Sequence, residues 1–311
     1  MPTIVPHWLS LALCLVLVAA HDSTAVENTS SPIRLLTYNV LHDGPWSGFF
    51  DNGTHLEERL DMTIRELQIL RPDIIALQEA SDSRRHGHVA HRIADSLGYH
   101  VIFAAATERL FGIRPLDKLI MGLLGFKEGS AILSRYPIAD MGVYDLPRCA
   151  RRWDPRIVLR GGIDTPQGRI QIFSAHAARG DDCQLQRIGE LLDEWKPQGP
   201  AVLMGDLNAT EDSPSLIDWR DRYGFIDAFR AGNPHLPGFT VWQQIHNRNS
   251  TVSRRVDYVF LVHDSKRPIL LRSSGLVLDR PGRLPDESVL WPSDHRGVWA
   301  EIDLPPGRDG S

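Results

Sequence analysis

Residues 200–209 have the sequence PAVLMGDLNA, in which a short apolar run is followed at once by polar residues. Residues 201–204 predict a buried β-strand, because a continuous apolar run bounded by turn-forming residues is typical of a strand covered on both faces. Asp206 and Asn208 then place a carboxylate and an amide directly after that strand. Strand ends at one edge of a sheet can bring together side chains that are distant in the sequence.

The same arrangement, with a polar residue at or beside the end of an apolar run, recurs along the chain. An Asp or Asn after a strand is usually a turn former or a helix cap, so the set is more informative than any of its members. The set predicts an oxygen-rich site suited to a hard cation such as Mg²⁺ or Mn²⁺. The residues placed in this way are Asn39, Glu79, His176, Asp206, Asn208, Asp257, Asp294 and His295.

Predicted strands outnumber predicted helices, which indicates an α+β fold with two packed sheets and helices outside them. Residues 32–305 contain no internal repeat and no linker, so they are predicted to form one domain, followed by a tail at 306–311. The strands are predicted at 33–40, 74–77, 99–103, 130–133, 157–163, 169–174, 201–204, 255–261, 269–278 and 298–302, and the helices at 56–70, 89–97, 184–195 and 213–221.

The first residues have the pattern of a targeting segment. Residues 8–20 form an uncharged apolar run that is short for a membrane span, and the small residues Ala20 and Ala25 suit cleavage by a signal peptidase. We therefore predict a signal peptide at 1–25, a disordered leader at 26–31 and a secreted or periplasmic location. A buried N-terminal helix and an uncleaved anchor are the alternatives.

Two cysteines, Cys149 and Cys183, remain beyond the predicted signal peptide. An even pair in an exported chain predicts a disulfide bond, and two buried free thiols are the alternative. The formal net charge is −5, so the chain has no overall positive field to attract nucleic acid. This charge weakens a nucleic-acid function without excluding it, since a local basic groove could still form.

In their order along the chain, the motifs resemble those of the endonuclease/exonuclease/phosphatase superfamily, in particular its DNase I-like and secreted sphingomyelinase-like members. The resemblance extends from Arg34 to Leu304 and implies a four-layer α/β/β/α sandwich, in which two packed mixed β-sheets are flanked by helices. Each motif is short, but the complete ordered set is highly specific. The matching motifs are LTYN at 36–39, LQE at 77–79, SRYPI at 134–138, GDLN at 205–208, RVDY at 255–258 and SDH at 293–295.

The resemblance also implies a role for each polar side chain. Glu79 would be the principal carboxylate ligand of Mg²⁺ or Mn²⁺, assisted by Asn39 and Asp294. Asp206 and Asn208 would bind phosphate or position the attacking water. These roles agree with the preference of hard divalent cations for oxygen ligands, and the cysteines are too few for a thiolate zinc site.

Two histidines complete the implied site. His295, paired with Asp257, would be the general base or would stabilise charge, because a carboxylate on one ring nitrogen fixes the tautomer and raises the basicity of imidazole. His176 would donate a hydrogen bond to the phosphate, and Glu128 would orient His176. General acid–base assistance of this kind contributes roughly 10²–10⁴-fold to a rate.

Two segments bear on the choice of substrate. Residues 110–126 are unusually apolar, which predicts either a loop that contacts a membrane surface or a helix packed on the flank of the domain. Arg152 belongs to a basic segment at 148–156 that could contact nucleic acid, although such segments are usually solvated loops. Arg179 follows His176 and could contact phosphate in either kind of substrate.

These features together predict a secreted, divalent-metal-dependent phosphodiesterase that acts on a lipid headgroup or on nucleic acid. No covalent intermediate is needed, and the sequence has no Gly-x-Ser-x-Gly elbow. A phosphomonoesterase that uses the same site is one alternative, and a non-catalytic binding module that retains the fold is another. No obligate protein partner is predicted.

Overall fold

Two mixed β-sheets packed face to face form the centre of the molecule. The computed structural model describes residues 31–42, 44, 54–107, 113–149, 154–262 and 268–305. The buried side chains between the sheets are apolar and come from both sheets, as Leu35, Ile74, Leu159 and Val202 show. Removing this apolar layer from water is the main favourable contribution to the packing of the sheets.

The first sheet has seven strands. They are β1 (Ile33–Asn39), β2 (Ile74–Ser83), β3 (Gly87–His88), β4 (His100–Ala105), β5 (Phe126–Ser134), β12 (Leu270–Val277) and β15 (Gly297–Asp303). The strand order is β12-β15-β1-β2-β5-β4, and β3 pairs with the far end of β2. β1 and β2 run parallel, so Asn39 lies beside Gln78 at the end of the pair.

The second sheet has six strands. They are β6 (Ile138–Asp145), β7 (Ile157–Thr165), β8 (Gly168–His176), β9 (Ala201–Asp206), β10 (Ile226–Asp227) and β11 (Asp257–Val262). The strand order is β10-β11-β9-β8-β7-β6, with β8 and β9 parallel and β9 and β11 antiparallel. A two-stranded ribbon, β13 (Gly282–Arg283) with β14 (Val289–Leu290), is separate from both sheets.

Helices cover the outer face of each sheet, except for the short helix Ala228–Gly232, whose buried side chains belong to the layer between the sheets. They are α1 (Leu56–Leu70), α2 (Val89–Leu97), α3 (Arg114–Leu124), α4 (Asp182–Trp195), α5 (Pro214–Asp221) and α6 (Ala228–Gly232), with a 3₁₀ turn at Lys196–Gln198. α1 and α2 bury apolar side chains against the first sheet, and α4 and α5 do so against the second. The layers are therefore helices, sheet, sheet and helices, which confirms the four-layer α/β/β/α sandwich.

The course of β2 differs from the prediction. The sequence predicts a strand that ends at Leu77, with Gln78 and Glu79 just beyond it. In the structure β2 continues to Ser83, and its pairing with β5 shifts register between Leu77 and Ala80. Glu79 lies in this irregularity with a left-handed φ of 54°. Such a bulge changes the direction in which a side chain points, so β2 can place Glu79 at the sheet edge and still pair with β5.

The structure contains the predicted disulfide between Cys149 and Cys183. Cys149 precedes β7, and Cys183 lies in the first turn of α4. The two cysteines are 34 residues apart in the sequence, and the hairpin formed by β7 and β8 lies wholly between them. The bond therefore links the segment that precedes the β7–β8 hairpin to the helix that follows it.

Several predictions fall on residues outside the described ranges. These are the signal peptide at 1–25, most of the leader at 26–31 and the tail at 306–311, together with Arg152. In the part of the chain that the structure describes, no helix combines the length and the apolar character that a membrane span requires.

Gly205 permits a close approach of β8 and β9 next to the polar residues of the sheet edge. A Cβ atom added at this position would lie 2.1 Å from the carbonyl oxygen of Ala175. Because that oxygen belongs to the backbone of a central strand, it cannot move without disturbing the parallel pair. Only glycine therefore fits at this position, which directly precedes Asp206.

We predict that Gly205→Ala lowers the free energy of unfolding by about 1–3 kcal/mol, because the added methyl group forces two buried strands apart. Urea unfolding followed by circular dichroism measures the change. Gly122→Ala in α3 is the matched control, since its added Cβ meets no atom within 4 Å. Alanine stabilises a helix by roughly 0.5–1 kcal/mol relative to glycine. Equal stability of the two variants would contradict the packing argument.

Candidate active site

Strands from both sheets end at one edge, where most of the predicted site residues meet. Asn39, His176 and Asp206 are the last residues of β1, β8 and β9, and Asp257 is the first residue of β11. Asp206 lies beside His176 in the β8–β9 pair and beside Asp257 in the β9–β11 pair. The sheet register therefore fixes Asp206 between a histidine and a second carboxylate.

His295 is buried and paired with Asp257. Its Nδ1 atom lies 3.0 Å from Asp257 Oδ2 and 3.2 Å from Oδ1, and its Nε2 atom lies 3.7 Å from Asp206 Oδ2. An isolated bridge joins His295 to Val241, so the backbone on both sides of the ring is held. The structure thus brings together the predicted histidine–aspartate pair. The second ring nitrogen of His295, Nε2, faces Asp206.

The loop that carries His295 is tied to the end of β1. Ser293 Oγ donates to the carbonyl oxygen of Asn39 at 2.7 Å and accepts from the backbone N–H of His295 at 3.2 Å. The buried Arg59 donates to the carbonyl oxygens of Val40 and Pro292 at 2.8 and 3.3 Å. Two loops distant in the sequence are therefore held together by hydrogen bonds to backbone groups.

Asn39 lies between two carboxylates of the site and the turn that follows β1. Its amide nitrogen donates to Glu79 Oε1 and to Asp206 Oδ2, each at 3.0 Å. Its amide oxygen accepts from the backbone N–H of Leu41, also at 3.0 Å. Asn39 therefore bridges two carboxylates from different sheets through its amide nitrogen. Its amide oxygen accepts a hydrogen bond from the turn that follows β1.

Glu79 is the carboxylate that the bulge of β2 places at the site. The backbone N–H of His42 donates to Glu79 Oε2 at 3.3 Å, and the His42 ring nitrogen Nε2 lies 3.6 Å from the same oxygen. Burial alone would raise the pKa of Glu79, but His42, His176 and the Asn39 hydrogen bond outweigh it and lower the pKa to about 2. Glu79 is therefore ionised throughout the physiological pH range.

His176 lies in a basic rather than an acidic environment on its Nδ1 side. Arg156 Nη1 is 2.6 Å from His176 Nδ1, whereas Glu128 Oε1, the predicted partner, is 3.9 Å away. The distance to Glu128 is too long for a hydrogen bond. Glu128 therefore lies beside His176, as expected, but the hydrogen-bond contact at Nδ1 is made by Arg156, which lies 3.8 Å from Glu128 Oε1.

On the opposite side of its ring, His176 faces the pocket. Its Nε2 atom lies 3.4 Å from Asp206 Oδ2 and 3.2 Å from Asn208 Nδ2. Asn208 also donates to the carbonyl oxygen of Ala177 at 3.0 Å. The GDLN motif thus contributes both of its polar side chains to one cluster with the histidine at the end of β8.

Burial and pairing shift the acid–base properties of Asp206 and His295. Burial raises the pKa of Asp206 to about 7, although the charge of His295 opposes the rise. Burial would lower the pKa of His295, but the carboxylates of Asp257 and Asp206 outweigh it and raise the pKa to about 10. At neutral pH the protonated form of His295 is therefore favoured, and Asp206 can be neutral or charged.

The donor groups of the site fit a hard divalent cation. Glu79 and Asp294 line the same pocket, with 18% and 25% of their side chains exposed. Burial raises the pKa of Asp294, and the negative charge of Glu79 adds to the rise. Two carboxylates that repel each other in a partly buried pocket are stabilised by a cation between them, and their oxygens are the ligands that Mg²⁺ and Mn²⁺ prefer.

The pocket at this edge has a volume of about 320 Å³. Arg179, a predicted substrate contact, lines it, and the Arg179 guanidinium lies 4.1 Å from the ring centre of Trp242. The sequence pattern singles out neither Trp242, which follows no predicted strand, nor His42, which lies two residues after the predicted strand at 33–40. The residues lining the pocket are Glu79, Asp154, Arg156, His176, Arg179, Asp206, Asn208, Trp242, Asp294 and His295.

Solved structures with the same fold come from several organisms. An endonuclease/exonuclease/phosphatase family protein from Bacteroides thetaiotaomicron has a TM-score of 0.66 at 21% identity, over 88% of this chain and 97% of that one. The mannosyl-6-phosphatase of Bacteroides thetaiotaomicron VPI-5482 has a TM-score of 0.66 at 21% identity, over 88% and 100%. The human Nocturnin catalytic domain, with a bound sulfate anion, has a TM-score of 0.61 at 18% identity, over 88% and 94%.

At these identities the structural similarity shows the fold alone. A comparison with curated proteins found no match. The sequence itself matches the model of the Endonuclease/Exonuclease/phosphatase family over residues 36–295, from the LTYN motif to the SDH motif. This match includes well over half of the chain and confirms the resemblance drawn from the motifs. The chain therefore belongs to the Endonuclease/Exonuclease/phosphatase family, whose members are hydrolases of phosphate esters.

Proposed function

We propose that the protein is an exported phosphodiesterase that requires Mg²⁺ or Mn²⁺ and hydrolyses a lipid headgroup or a nucleic acid. The observation that carries this proposal is the presence of the Asp257–His295 pair and of the Glu79 and Asp294 carboxylates at a single pocket. A non-catalytic binding module has no need of a carboxylate-paired histidine beside a cation site. The arrangement instead suits the activation of water against a phosphate ester.

The residues around the pocket can bind the phosphate and orient the water. His176 and Asn208 offer N–H groups for the non-bridging oxygens, and Asp206 lies between the two histidines where it can hold the attacking water. A cation held by Glu79 and Asp294 would supply neutralisation of charge on the phosphate and on the leaving oxygen.

Proton transfer in the reaction is assigned to Asp206. The oxygen of water bonds to phosphorus, the P–O bond to the leaving group breaks, the proton of the water passes to Asp206, and the leaving oxygen takes a proton from solvent. The pKa of Asp206, raised by burial to about 7, suits a base that works near neutral pH. The protonated His295, held by Asp257, stabilises the negative charge that develops beside it.

A phosphomonoesterase is the second candidate function. The observation that favours it is the fold match with a mannosyl-6-phosphatase, which covers the whole of that chain. A similarity of fold transfers no substrate, and the same pocket could hold a phosphate with one ester bond or with two. Activity measurements on paired substrates separate these two functions.

The deciding experiment is a panel of phosphate esters with added Mg²⁺ or Mn²⁺. The substrates are plasmid DNA, RNA, sphingomyelin, phosphatidylinositol, bis(p-nitrophenyl) phosphate and the monoester p-nitrophenyl phosphate. We expect hydrolysis of at least one diester and loss of that activity in EDTA. Turnover of the monoester alone would select the second candidate, and no hydrolysis across the panel would select the binding module.

Variants of the pocket test whether any activity arises from the proposed residues. His295→Ala and Glu79→Gln are each expected to lower kcat by roughly 10²–10⁴-fold, because they remove charge stabilisation and a cation ligand. Circular dichroism verifies that each variant is folded. Arg283→Ala is the matched control, since it removes an exposed ion pair with Glu287. A His295→Ala enzyme with unchanged kcat would contradict the proposed site.

Export is supported by the pattern at the N-terminus and by the disulfide. Disulfides persist in oxidising compartments and are rare in the cytosol, and the Cys149–Cys183 bond is present in the structure. N-terminal sequencing of the protein expressed from the full gene tests the proposal. We expect the mature chain to begin near residue 26 in the medium or periplasm, whereas a cytosolic chain that begins at Met1 would contradict it.

The apolar segment predicted at 110–126 includes α3, which has one buried and one exposed side. Met121 is buried, whereas Leu116, Leu119 and Leu123 are 40%, 60% and 68% exposed. The spacing of three and four residues places the three leucines on one side of the helix. We propose that this leucine face contacts a lipid surface, because exposed apolar side chains on one side of a helix suit the interface of a membrane.

We predict that Leu116→Ser/Leu119→Ser/Leu123→Ser abolishes co-flotation of the protein with phosphatidylcholine–phosphatidylserine vesicles, because it removes the apolar area that would enter the interface. Ile69→Ser is the matched control, since Ile69 is 82% exposed on α1. Flotation in a sucrose gradient measures binding. Equal flotation of the triple variant and the unaltered protein, or no flotation of either, would contradict the lipid contact.

A further inference from the structure

The contact between Arg156 and His176 determines which nitrogen of the histidine carries the proton. We infer that Arg156 is a positioning residue that holds neutral His176 as its Nε2–H tautomer, with the N–H directed into the pocket. The tautomer follows from the contacts of the described residues. Its use, donation of a hydrogen bond to a phosphate oxygen, rests on the proposed function.

The chemistry of the two side chains requires this assignment. A guanidinium group has N–H donors and no acceptor, so the Nδ1 atom that lies 2.6 Å from Arg156 Nη1 must present a lone pair. A neutral imidazole has one donor and one acceptor, and its proton is then on Nε2. Asp206 Oδ2, at 3.4 Å from Nε2, is an acceptor on the correct side for that N–H. Asn208 Nδ2 is nearer to Nε2, at 3.2 Å, but its two hydrogens have acceptors of their own in the carbonyl oxygen of Ala177 at 3.0 Å and Asp206 Oδ2 at 3.5 Å.

Arg156 is itself held in place by acidic neighbours. Its Nε and Nη2 atoms lie 2.8 and 3.2 Å from the two carboxylate oxygens of Asp154, and its Nη1 atom lies 3.8 Å from Glu128 Oε1. Only 15% of the arginine side chain is exposed. The ion pair with Asp154 and the burial of the side chain hold the guanidinium in place, with Nη1 directed toward His176 Nδ1.

The alternative arrangement would pair His176 directly with Glu128. A carboxylate on Nδ1 accepts a hydrogen bond, so it would select the Nδ1–H tautomer and favour the charged ring. Arg156 is instead the group nearest to Nδ1, at 2.6 Å against 3.9 Å for Glu128 Oε1, and it reverses the hydrogen-bond polarity at that atom. The electrostatics agree, since burial and the charge of Arg156 hold the pKa of His176 well below its usual range.

The reversed polarity gives His176 a constant role across the neutral pH range. The Nε2–H donor is present whenever the ring is neutral, so no protonation event is needed before a phosphate oxygen can be bound. His176 would thus differ from His295, which the carboxylates of Asp257 and Asp206 keep protonated. One ring supplies a fixed neutral donor, and the other supplies positive charge.

Nitrogen-15 NMR of the EDTA-treated full-length protein tests the tautomer without any substrate. Long-range ¹H–¹⁵N spectra distinguish protonated from unprotonated ring nitrogens, and His176→Gln identifies the relevant signals among those of the 13 histidines. We expect an unprotonated Nδ1 and a protonated Nε2 at pH 7 in the unaltered protein. A protonated Nδ1 in that spectrum would overturn the inference, whatever the behaviour of any variant.

Arg156→Met removes the donor while retaining an unbranched side chain. We expect the His176 signals to change toward the Nδ1–H or doubly protonated form, because Glu128 and Asp206 then dominate the surroundings. Arg160→Met is the matched control in the adjacent strand β7, since Arg160 contacts Gln171 and Trp195. Unchanged His176 signals in a folded Arg156→Met protein would show that Arg156 does not set the tautomer.

Measurement of kcat for the Arg156 variants is a second test, and it distinguishes failure of the inference from failure of the proposed function. If a diester is hydrolysed, Arg156→Met should lower kcat about 10–100-fold, and Arg156→Lys should recover part of the loss, since lysine can still donate to Nδ1. The expected spectrum in a protein that hydrolyses nothing would leave the tautomer established and the proposed function wrong. Full activity of Arg156→Met would overturn the positioning role.

Discussion

The burial of Asp206 is the constraint on which the site depends. This carboxylate is 1% exposed, and a charge removed from water is tolerated in a fold only when polar partners surround it. Its partners come from both sheets: Asn39 from the first sheet, and His176 and the Asp257–His295 pair from or beside the second. The two sheets must therefore stay aligned at this edge. The geometry of the pocket thus depends on the packing of one sheet against the other.

The two histidines of the pocket differ in protonation because their neighbouring groups carry opposite charges. His295 lies between carboxylates, which favour its charged form, whereas His176 lies against a guanidinium, which disfavours it. Both rings are buried, so solvent does little to reduce either effect. Pairs of titratable groups with opposite shifts are typical of sites that carry out acid–base chemistry.

The strand ends that bear the site could be predicted from the sequence. Each apolar run is followed by a polar residue, and the strand itself determines where that residue lies. Asp206 and His176 belong to this class. The orientation of Glu79 could not be predicted in this way, since it depends on a register shift between β2 and β5 that involves residues far apart in the sequence.

Long-range contacts explain the other differences from the sequence-based predictions. The resemblance implies Glu128 as the partner of His176, but Arg156, just before β7, approaches Nδ1 more closely than Glu128 does. Trp242 gave no signal in the sequence, because its place beside the pocket comes from the pairing of Val241 with His295. β6 and α6 have too little apolar periodicity to be recognised.

The disulfide has a topological consequence for the pocket. Arg156 and His176 both lie within the stretch of chain that the Cys149–Cys183 bond closes into a ring. Closing a ring of this size removes conformational freedom from the unfolded chain that is equivalent to about 3–4 kcal/mol. The arginine and the histidine are thus confined to one covalent loop, which limits how far they can separate when the surrounding structure opens.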